Sequence, residues 1–137
     1  MPIQAVDKVW MNGELVDWKD ATVHVLSHAL HYGTGVFEGI RCYETPKGPA
    51  VFRLREHLER MERSGKIFMM EIPYSVDELV HATHDLIKIN KLRECYVRPI
   101  AYRGYGEIGV NPEHNPVDVT IAVWPWGAYL GEKALKE

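Results

Sequence analysis

The segment His28–Arg41 constrains the fold of this chain more than any other stretch of its sequence. It reads His-Ala-Leu-His-Tyr-Gly-Thr-Gly-Val-Phe-Glu-Gly-Ile-Arg, so three glycines lie among aromatic and charged side chains. Glycine at this density indicates a backbone that packs closely against other groups or adopts φ values that other residues resist. The segment therefore predicts a site rather than a plain structural element.

Size and composition limit the classes of function. A chain of 137 residues, 46% hydrophobic and 26% charged, is typical of one globular domain with a real core. Its net charge of -3 and the lack of a basic run argue against nucleic-acid binding. The sequence has no apolar run of membrane-spanning length and no signal-peptide pattern, which predicts a cytoplasmic protein. Cys42 and Cys95 lack metal-ligand spacing and are expected to stay reduced.

Local patterns predict an α+β fold, with an antiparallel or mixed sheet flanked by about two main helices. Asn12-Gly13 is typical of a two-residue hairpin turn. Ser75 and Glu78 have the spacing of a capping box, and the helix that follows should end near Asn90. The other predicted elements are a short helix over His28–Tyr32, a helix from Leu54, and strands at Gly39–Glu44, Ala50–Arg53, Cys95–Tyr102 and Val117–Trp124.

Two features of the glycine-rich region allow weaker interpretations. His24, His28 and His31 suggest a metal site, because histidines at positions i and i+4 share a helix face. His24 precedes the expected helix, however, so histidines hydrogen-bonded in or around a core are favoured and no metal is predicted. The glycine spacing misses the G-x-G-x-x-G nucleotide motif by one residue and follows a helix rather than a strand, which argues against a nucleotide loop.

Tyr96 and Arg98 form a second candidate site. Residues two apart on a strand point to the same face, so this phenol and guanidinium should project together. Such a pair makes a good receptor for a carboxylate, although an ordinary buried arginine–acid pair explains the pattern equally well. Pro99 cannot donate to a neighbouring strand, which predicts an edge strand or a bulge at this position.

Arg60 lies on the helix that begins at Leu54, beside positions that should face the core. Its spacing favours a surface arginine paired with Glu56, one helical turn earlier. Spacing alone therefore gives Arg60 no functional role.

Together these segments resemble the branched-chain amino acid aminotransferases, the fold-type-IV enzymes that use pyridoxal 5′-phosphate (PLP). The resemblance runs from Lys8 to Gly131, nearly the whole chain. The Tyr-x-Arg-Pro strand with the Gly-Val-Asn-Pro loop favours the branched-chain class over its D-amino-acid and lyase relatives. The motifs are Val23-His-Val-Leu-Ser-His-Ala-Leu-His-Tyr-Gly33, Val36-Phe-Glu-Gly-Ile-Arg41, Phe52-Arg-Leu-Arg-Glu-His57, Tyr96-Val-Arg-Pro99 and Gly109-Val-Asn-Pro112.

The resemblance implies roles for individual residues. It assigns Arg60 to the phosphate of PLP, against the surface role that spacing favours, and Arg98 to the acidic side chain of glutamate. It implies that Tyr32 and Val110 reach the site of a neighbouring subunit in a homodimer. The resemblance also implies one substrate pocket that accepts both branched-chain amino acids and glutamate or 2-oxoglutarate. The residues of this pocket are Phe37, Gly39, Tyr96, Trp126 and, on the interdomain loop, Tyr129.

The resemblance also implies what the chain lacks. In the family, the lysine to which PLP is attached belongs to a large C-terminal domain, and none of the eight lysines here is a credible substitute. We therefore expect residues 1–123 to form the small N-terminal domain of an enzyme that transfers the amino group of leucine, isoleucine or valine to 2-oxoglutarate. Residues 124–137 should begin the interdomain linker, and the chain alone should be inactive and bind PLP weakly or not at all.

Two alternatives to this interpretation remain open. In the first, the chain is a stand-alone domain that binds an anion or a partner without catalysis. In the second, it is a fragment of a D-amino-acid transaminase or an aminodeoxychorismate lyase. Substrate preference distinguishes these relatives from a branched-chain enzyme.

Overall fold

The computed structural model describes residues 2–126, which form an antiparallel sheet with helices and confirm the α+β class. Residues 127–137, which include Tyr129, lie outside the described residues. The helices are α1 (His28–Tyr32), α2 (Leu54–Ile67) and α3 (Val76–Ile89), with a 3-10 turn at Trp18–Asp20. The strands are β1 (Lys8–Met11), β2 (Glu14–Asp17), β3 (Gly35–Phe37), β4 (Ile40–Thr45), β5 (Gly48–Val51), β6 (Cys95–Arg103) and β7 (Val117–Pro125).

The strands form one sheet in the order β2-β1-β7-β6-β4-β5, with β3 also paired to β6. All of these pairings are antiparallel. Strand β6 is central, because it pairs with β7 along its whole length and with β3 and β4 on its other side. Side chains of β6 therefore lie in the middle of the sheet, where they can line a site.

Helices α2 and α3 pack on one face of the sheet. Helix α3 begins with the predicted capping box, in which Glu78 N donates to Ser75 Oγ at 3.1 Å and Ser75 N donates to the Glu78 carboxylate at 3.2 Å. It ends at Ile89 with Asn90 as its C-cap, and the hairpin turn at Asn12-Gly13 joins β1 to β2, both as predicted. The core between the helices and the sheet includes Ile40, Leu58, Met61, Leu79, Leu86, Val97, Val119, Ile121 and Val123.

Alternation along β6 divides the sheet into two faces. Cys95, Val97 and Ala101 are fully buried under the helices. Tyr96 and Arg98 point to the opposite face and are only partly buried, so the prediction that they share a face is confirmed. We call this surface, which α2 and α3 leave uncovered, the open face.

Pro99 does not mark an edge strand, because β6 is central. It lies instead opposite an interruption between β3, which ends at Phe37, and β4, which begins at Ile40. Glu38 N donates to Pro99 O at 3.1 Å across this interruption. The amide nitrogen and carbonyl of a strand residue point the same way, so the proline nitrogen faces Glu38 and cannot return the second hydrogen bond of this pair. The missing donor accounts for the interruption within a central part of the sheet.

Some element boundaries differ from the prediction. Strand β3 was not predicted, and β6 and β7 each extend one residue further than expected, to Arg103 and Pro125. Trp124, the last residue of the predicted strand, and Pro125 are thus part of the sheet. No helix within residues 2–126 combines the length and the apolar character needed to cross a membrane.

The packing of α2 predicts that substitutions on its buried and exposed faces differ greatly in their effect on stability. Leu58 is 1% exposed, whereas Ile67 on the same helix is 82% exposed. We expect Leu58→Ala to lower the free energy of unfolding by about 2–5 kcal/mol, because it removes buried methyl groups and leaves a cavity. Urea unfolding of Leu58→Ala and of the control Ile67→Ala measures the difference, and equal losses in the two variants contradict the packing described here.

Candidate functional site

The pairing register with β6 is the same before and after the interruption between β3 and β4, so the alternation of a strand continues through residues 37–39. Phe37 and Gly39 lie on the open face, where Phe37 is 58% exposed. Glu38 between them points to the helix side and is buried. The Phe-Glu-Gly triplet therefore contributes to two separate groups of side chains, one on each side of the sheet.

The first group surrounds Arg98 on the open face. Arg98 Nη2 donates to the Tyr96 hydroxyl at 2.8 Å, and the guanidinium carbon lies 4.4 Å from the centre of the Phe37 ring. Arg98 Nε is buried without a hydrogen-bond partner, and no carboxylate within residues 2–126 forms an ion pair with this side chain. Of the two interpretations of the Tyr96–Arg98 pattern, these contacts favour a receptor for an anion over a buried arginine–acid pair.

Tryptophan rings hold Tyr96 in place beside this arginine. The Tyr96 ring stacks on Trp126 with centroids 4.6 Å apart and an interplanar angle of 19°, and it lies 4.9 Å from the ring of Trp124. A Cβ at Gly39 would overlap the Tyr96 hydroxyl and come within 3.1 Å of its Cζ. The lack of a side chain at Gly39 thus leaves room for the phenol that fixes Arg98.

An apolar groove of about 590 Å³ continues the open face from Phe37 toward β1. The sequence did not predict it, because its walls come from α1, the segment after β2 and four strands that only the sheet order brings together. The groove gives the arginine receptor an apolar neighbour. Its lining includes Val9, Met11, Val23, Leu30, Phe37, Ile100 and Ala122.

The second group pairs Glu38 with helix α2. Arg60 Nε donates to Glu38 Oε1 at 2.7 Å, and Arg60 Nη2 donates to Oε2 at 2.6 Å. His57 Nδ1 lies 3.0 Å from the same Oε2 and must carry the proton, because a carboxylate only accepts. The predicted pairing of Arg60 with Glu56 is therefore wrong, since a buried carboxylate from the neighbouring strand break takes its place.

Glu38 stays ionised despite its burial. Burial by itself raises the pKa of this carboxyl, but the hydrogen bonds and positive charge of Arg60, with the hydrogen bond from His57, bring the pKa below its usual value. The sequence displayed Glu38 as a lone carboxylate among apolar residues and indicated no partner for it. A lone acid in an apolar run was the available signal, because such a group must be paired when buried.

This pair predicts a dependence of stability on acid pH. Because the pKa of Glu38 is lower in the folded chain, its stabilising contribution is complete above the usual value of 4.5 and is lost as the pH falls through the lower folded value. We expect the free energy of unfolding to fall more steeply with acidification in the unmodified chain than in Glu38→Gln, over about pH 7 to 3. Urea unfolding across this pH range measures the free energy of unfolding of both proteins. The prediction is contradicted if this free energy depends on pH in the same way in both.

A positively charged cleft lies on the outer side of Arg60. It has a volume of about 240 Å³ and is lined by two further arginines, Arg53 and Arg63, with His57 and Glu56. Arg53 precedes α2 in the left-handed conformation, at φ 51°. A phosphate group fits such a cleft, because guanidinium groups bind oxyanions through two parallel hydrogen bonds.

Tyr32 and the loop that leads to Val110 belong to one structural unit. The Tyr32 hydroxyl donates to Ile108 O at 2.8 Å. His28 is fully buried, with Nδ1 2.8 Å from Thr34 Oγ1 and Nε2 2.8 Å from Gly109 O. These contacts fix the loop before Val110 to α1, and Val110 itself is 75% exposed.

The histidines of this region take part in such structural contacts. Both ring nitrogens of His28 are occupied, and His31 Nε2 lies 2.8 Å from Val25 O. His24 Nδ1 accepts from Leu26 N at 3.0 Å. Within residues 2–126, no three histidine, cysteine or acidic side chains are grouped so that they could hold a metal ion.

The described surface therefore has two candidate sites, an arginine receptor beside apolar walls and a separate cationic cleft. Comparison with known proteins shows to which family the chain belongs. Residues 35–137 match the family model described as amino-transferase class IV. The chain belongs to the class IV aminotransferases.

Among class IV aminotransferases, the chain is similar to the branched-chain-amino-acid aminotransferase of Escherichia coli strain K12. The two are 52% identical over 138 residues, which cover 100% of this chain and 45% of that protein. The putative branched-chain-amino-acid aminotransferase of Methanocaldococcus jannaschii is 38% identical over 131 residues, 94% of this chain and 44% of that protein. The chain thus spans less than half the length of the curated relatives that it matches.

Solved class IV aminotransferases have the same fold. The crystal structure of the Escherichia coli branched-chain enzyme superposes with a TM-score of 0.90 at 54% identity, over 94% of this chain and 43% of that one. The branched-chain enzyme of Thermobaculum terrenum in its PLP form gives a TM-score of 0.80 at 31% identity, over 93% of this chain and 43% of that chain. These likenesses confirm that the chain has the fold of the small domain of fold-type-IV aminotransferases.

Proposed function

We propose that this chain is the substrate-recognising small domain of a PLP-dependent branched-chain aminotransferase. The enzyme transfers the amino group of leucine, isoleucine or valine to 2-oxoglutarate and acts as a homodimer. Residues 1–123 form the domain body and residues 124–137 lead to a PLP-binding domain. The similarity of the whole chain to branched-chain aminotransferases supports this proposal.

The observation that carries the proposal is the arrangement of Arg98 on the open face. One pocket must accept an apolar branched side chain in the first half of the reaction and the carboxylate of glutamate in the second. Phe37, the adjoining groove and the stacked rings of Tyr96 and Trp126 offer apolar walls. Arg98, held by the Tyr96 hydroxyl rather than by an acid, offers a charge partner to glutamate without a fixed carboxylate in its way.

The cationic cleft beside α2 suits the phosphate of PLP. Arg60 binds that phosphate in our proposal, with Arg53 and Arg63 adding positive charge to the cleft. When bound, PLP supplies the electron sink that makes removal of the substrate Cα proton possible. The chain's own contribution is to bind and orient the substrate. The lysine attached to PLP, in this proposal, belongs to the other domain.

Tyr32 and Val110 complete the site of the partner subunit in this proposal. They belong to one unit, because Tyr32 holds the loop that leads to Val110. Both side chains are exposed on the described surface. Tyr129 is proposed to belong to the interdomain loop that covers the substrate pocket.

The proposed role of Arg98 is tested in a hybrid enzyme, in which residues 1–137 replace the matching part of the Escherichia coli relative. We expect Arg98→Gln to lower kcat/KM for 2-oxoglutarate about 10–100-fold, the size of a lost charge-assisted hydrogen bond. The value of kcat/KM for leucine should fall far less, because the leucine side chain makes no ion pair. Arg98→Lys, which keeps the charge, is the control, and equal losses for both substrates in Arg98→Gln overturn the assignment.

A further inference from the structure

The guanidinium of Arg60 has two edges, and only one of them is used within the described chain. Its Nε and one Nη2 hydrogen go to the two oxygens of Glu38, at 2.7 and 2.6 Å. Nη2 also lies 3.5 Å from His57 Nδ1, which donates to Glu38 and therefore does not accept from Arg60. The hydrogens of Nη1 and the second hydrogen of Nη2 form the opposite edge, which can bind a second oxyanion in the same planar manner. The Arg60 side chain is 60% exposed while that of Glu38 is 5% exposed, so the unused edge is the one that reaches solvent and the cationic cleft.

Glu38 is itself held from several directions. Its backbone N donates to Pro99 O, and its neighbours Phe37 and Gly39 belong to the open face. His57, one helical turn before Arg60, binds the same Oε2 that receives Arg60 Nη2. Because Glu38 is fixed in this way, its hydrogen bonds hold the Arg60 side chain in a single orientation. This holds although most of the Arg60 surface is exposed.

We propose that Glu38, assisted by His57, is a positioning residue that fixes Arg60 with its outer edge presented to the phosphate of the cofactor. This inference rests on the proposed function, in which Arg60 binds that phosphate. A flexible arginine must lose side-chain freedom when it binds an anion, and Glu38 removes much of that freedom in advance. Because consecutive residues alternate between faces, Glu38 connects the substrate face, through its neighbours Phe37 and Gly39, to the cofactor cleft.

Charge and positioning predict opposite effects for the loss of Glu38. A carboxylate close to the cleft repels phosphate, so charge alone predicts tighter phosphate binding in Glu38→Gln. Positioning predicts weaker binding, because Arg60 becomes mobile. The sign of the change in affinity therefore separates the two explanations.

The test uses the full 137-residue chain and probes that have no aldehyde, so that lysines do not react with them. Inorganic phosphate, pyridoxine 5′-phosphate and pyridoxine are titrated while the Nε–Hε signal of Arg60 and the backbone amides are followed by NMR. The variants are Glu38→Gln, Glu38→Asp and Arg60→Gln, with Glu59→Gln as the control that makes the same charge change on α2. Amide spectra establish that each variant is folded, and Glu38→Asp keeps the charge should Glu38→Gln fail to fold.

We expect Glu38→Gln to weaken phosphate and pyridoxine 5′-phosphate binding on the order of tenfold, with pyridoxine unaffected and Arg60 Hε exchanging faster with water. Glu38→Asp should weaken binding too, because its shorter side chain cannot reach both Arg60 nitrogens, while Glu59→Gln should not weaken it. Unchanged or tighter binding in Glu38→Gln, with binding still lost in Arg60→Gln, overturns this inference and leaves the proposed cofactor site intact. If the 137-residue chain binds no phosphate, as its expected weak affinity allows, the same titrations are made with the hybrid enzyme freed of PLP. Binding that Arg60→Gln does not reduce overturns the proposed site and the inference with it.

Discussion

Replacing Gly39 by alanine is expected to lower kcat/KM of the hybrid enzyme about 100-fold for both leucine and 2-oxoglutarate, since a displacement of the order of 1 Å costs that much. The added Cβ would overlap the Tyr96 hydroxyl, so the ring must move. Tyr96 cannot rotate away freely, because it stacks on Trp126 and contacts Trp124. Its displacement also breaks the hydrogen bond to Arg98. Steady-state kinetics with each substrate measure the loss.

A matched control separates this effect from a general loss of stability. An added Cβ at Gly106 would make only ordinary contacts, the nearest at 3.4 Å, so Gly106→Ala should leave the kinetics nearly unchanged. The amide and tryptophan side-chain signals of Gly39→Ala should change around Trp124 and Trp126 and stay the same in α3. Activity of Gly39→Ala equal to that of Gly106→Ala contradicts the proposed position of Tyr96 in the substrate pocket.

The purified 137-residue chain is expected to show no transamination between leucine and 2-oxoglutarate, even with added PLP. The reaction requires a lysine amine in an environment that lowers its pKa, and the described lysines offer none. Lys19, Lys47, Lys66, Lys88 and Lys91 are exposed, and Lys8 pairs with Asp17, which raises its pKa. Lys133 and Lys136 lie outside the described residues, in a charged tail.

This prediction is measured by the glutamate formed from leucine and 2-oxoglutarate, against a blank of PLP with free lysine. The hybrid enzyme serves as the positive control under the same conditions. Turnover by the chain above the blank, abolished by a single lysine substitution, contradicts the assignment of the catalytic lysine to another domain.

The sequence predicted those features that depend on neighbouring residues. The capping box at Ser75 and the hairpin turn at Asn12-Gly13 are local structures with fixed spacing, and both are present. The common direction of Tyr96 and Arg98 follows from the two-residue repeat of a strand. In each case the side chains that matter lie within three residues of one another.

Features that depend on how elements meet were not predictable in this way. Glu38 and Arg60 are 22 residues apart, and only the packing of α2 against the strand break brings them together. The sequence therefore offered Glu56 as the partner of Arg60. Exposed pairs one turn apart on a helix contribute little, whereas a buried carboxylate needs a partner, so Glu38 determines where Arg60 points.

The strand break itself explains the error at Pro99. Proline in a strand indicates that one neighbour is missing, but it does not say whether the neighbour is absent or only interrupted. Here β3 and β4 both pair with β6, on either side of Glu38 and Gly39. The pairing register does not change there, so ordinary strand alternation places Phe37 and Glu38 on opposite faces, which separates the proposed substrate pocket from the proposed cofactor cleft.

Substrate preference of the hybrid enzyme tests the central claim most directly. Amino transfer to 2-oxoglutarate is measured from L-leucine and from D-alanine at matched concentrations, with the native Escherichia coli enzyme for comparison. If the open face of this chain recognises branched-chain substrates, L-leucine is strongly preferred and Arg98→Gln impairs the 2-oxoglutarate half of the reaction. A preference for D-alanine contradicts the account and assigns the chain to a different class IV aminotransferase.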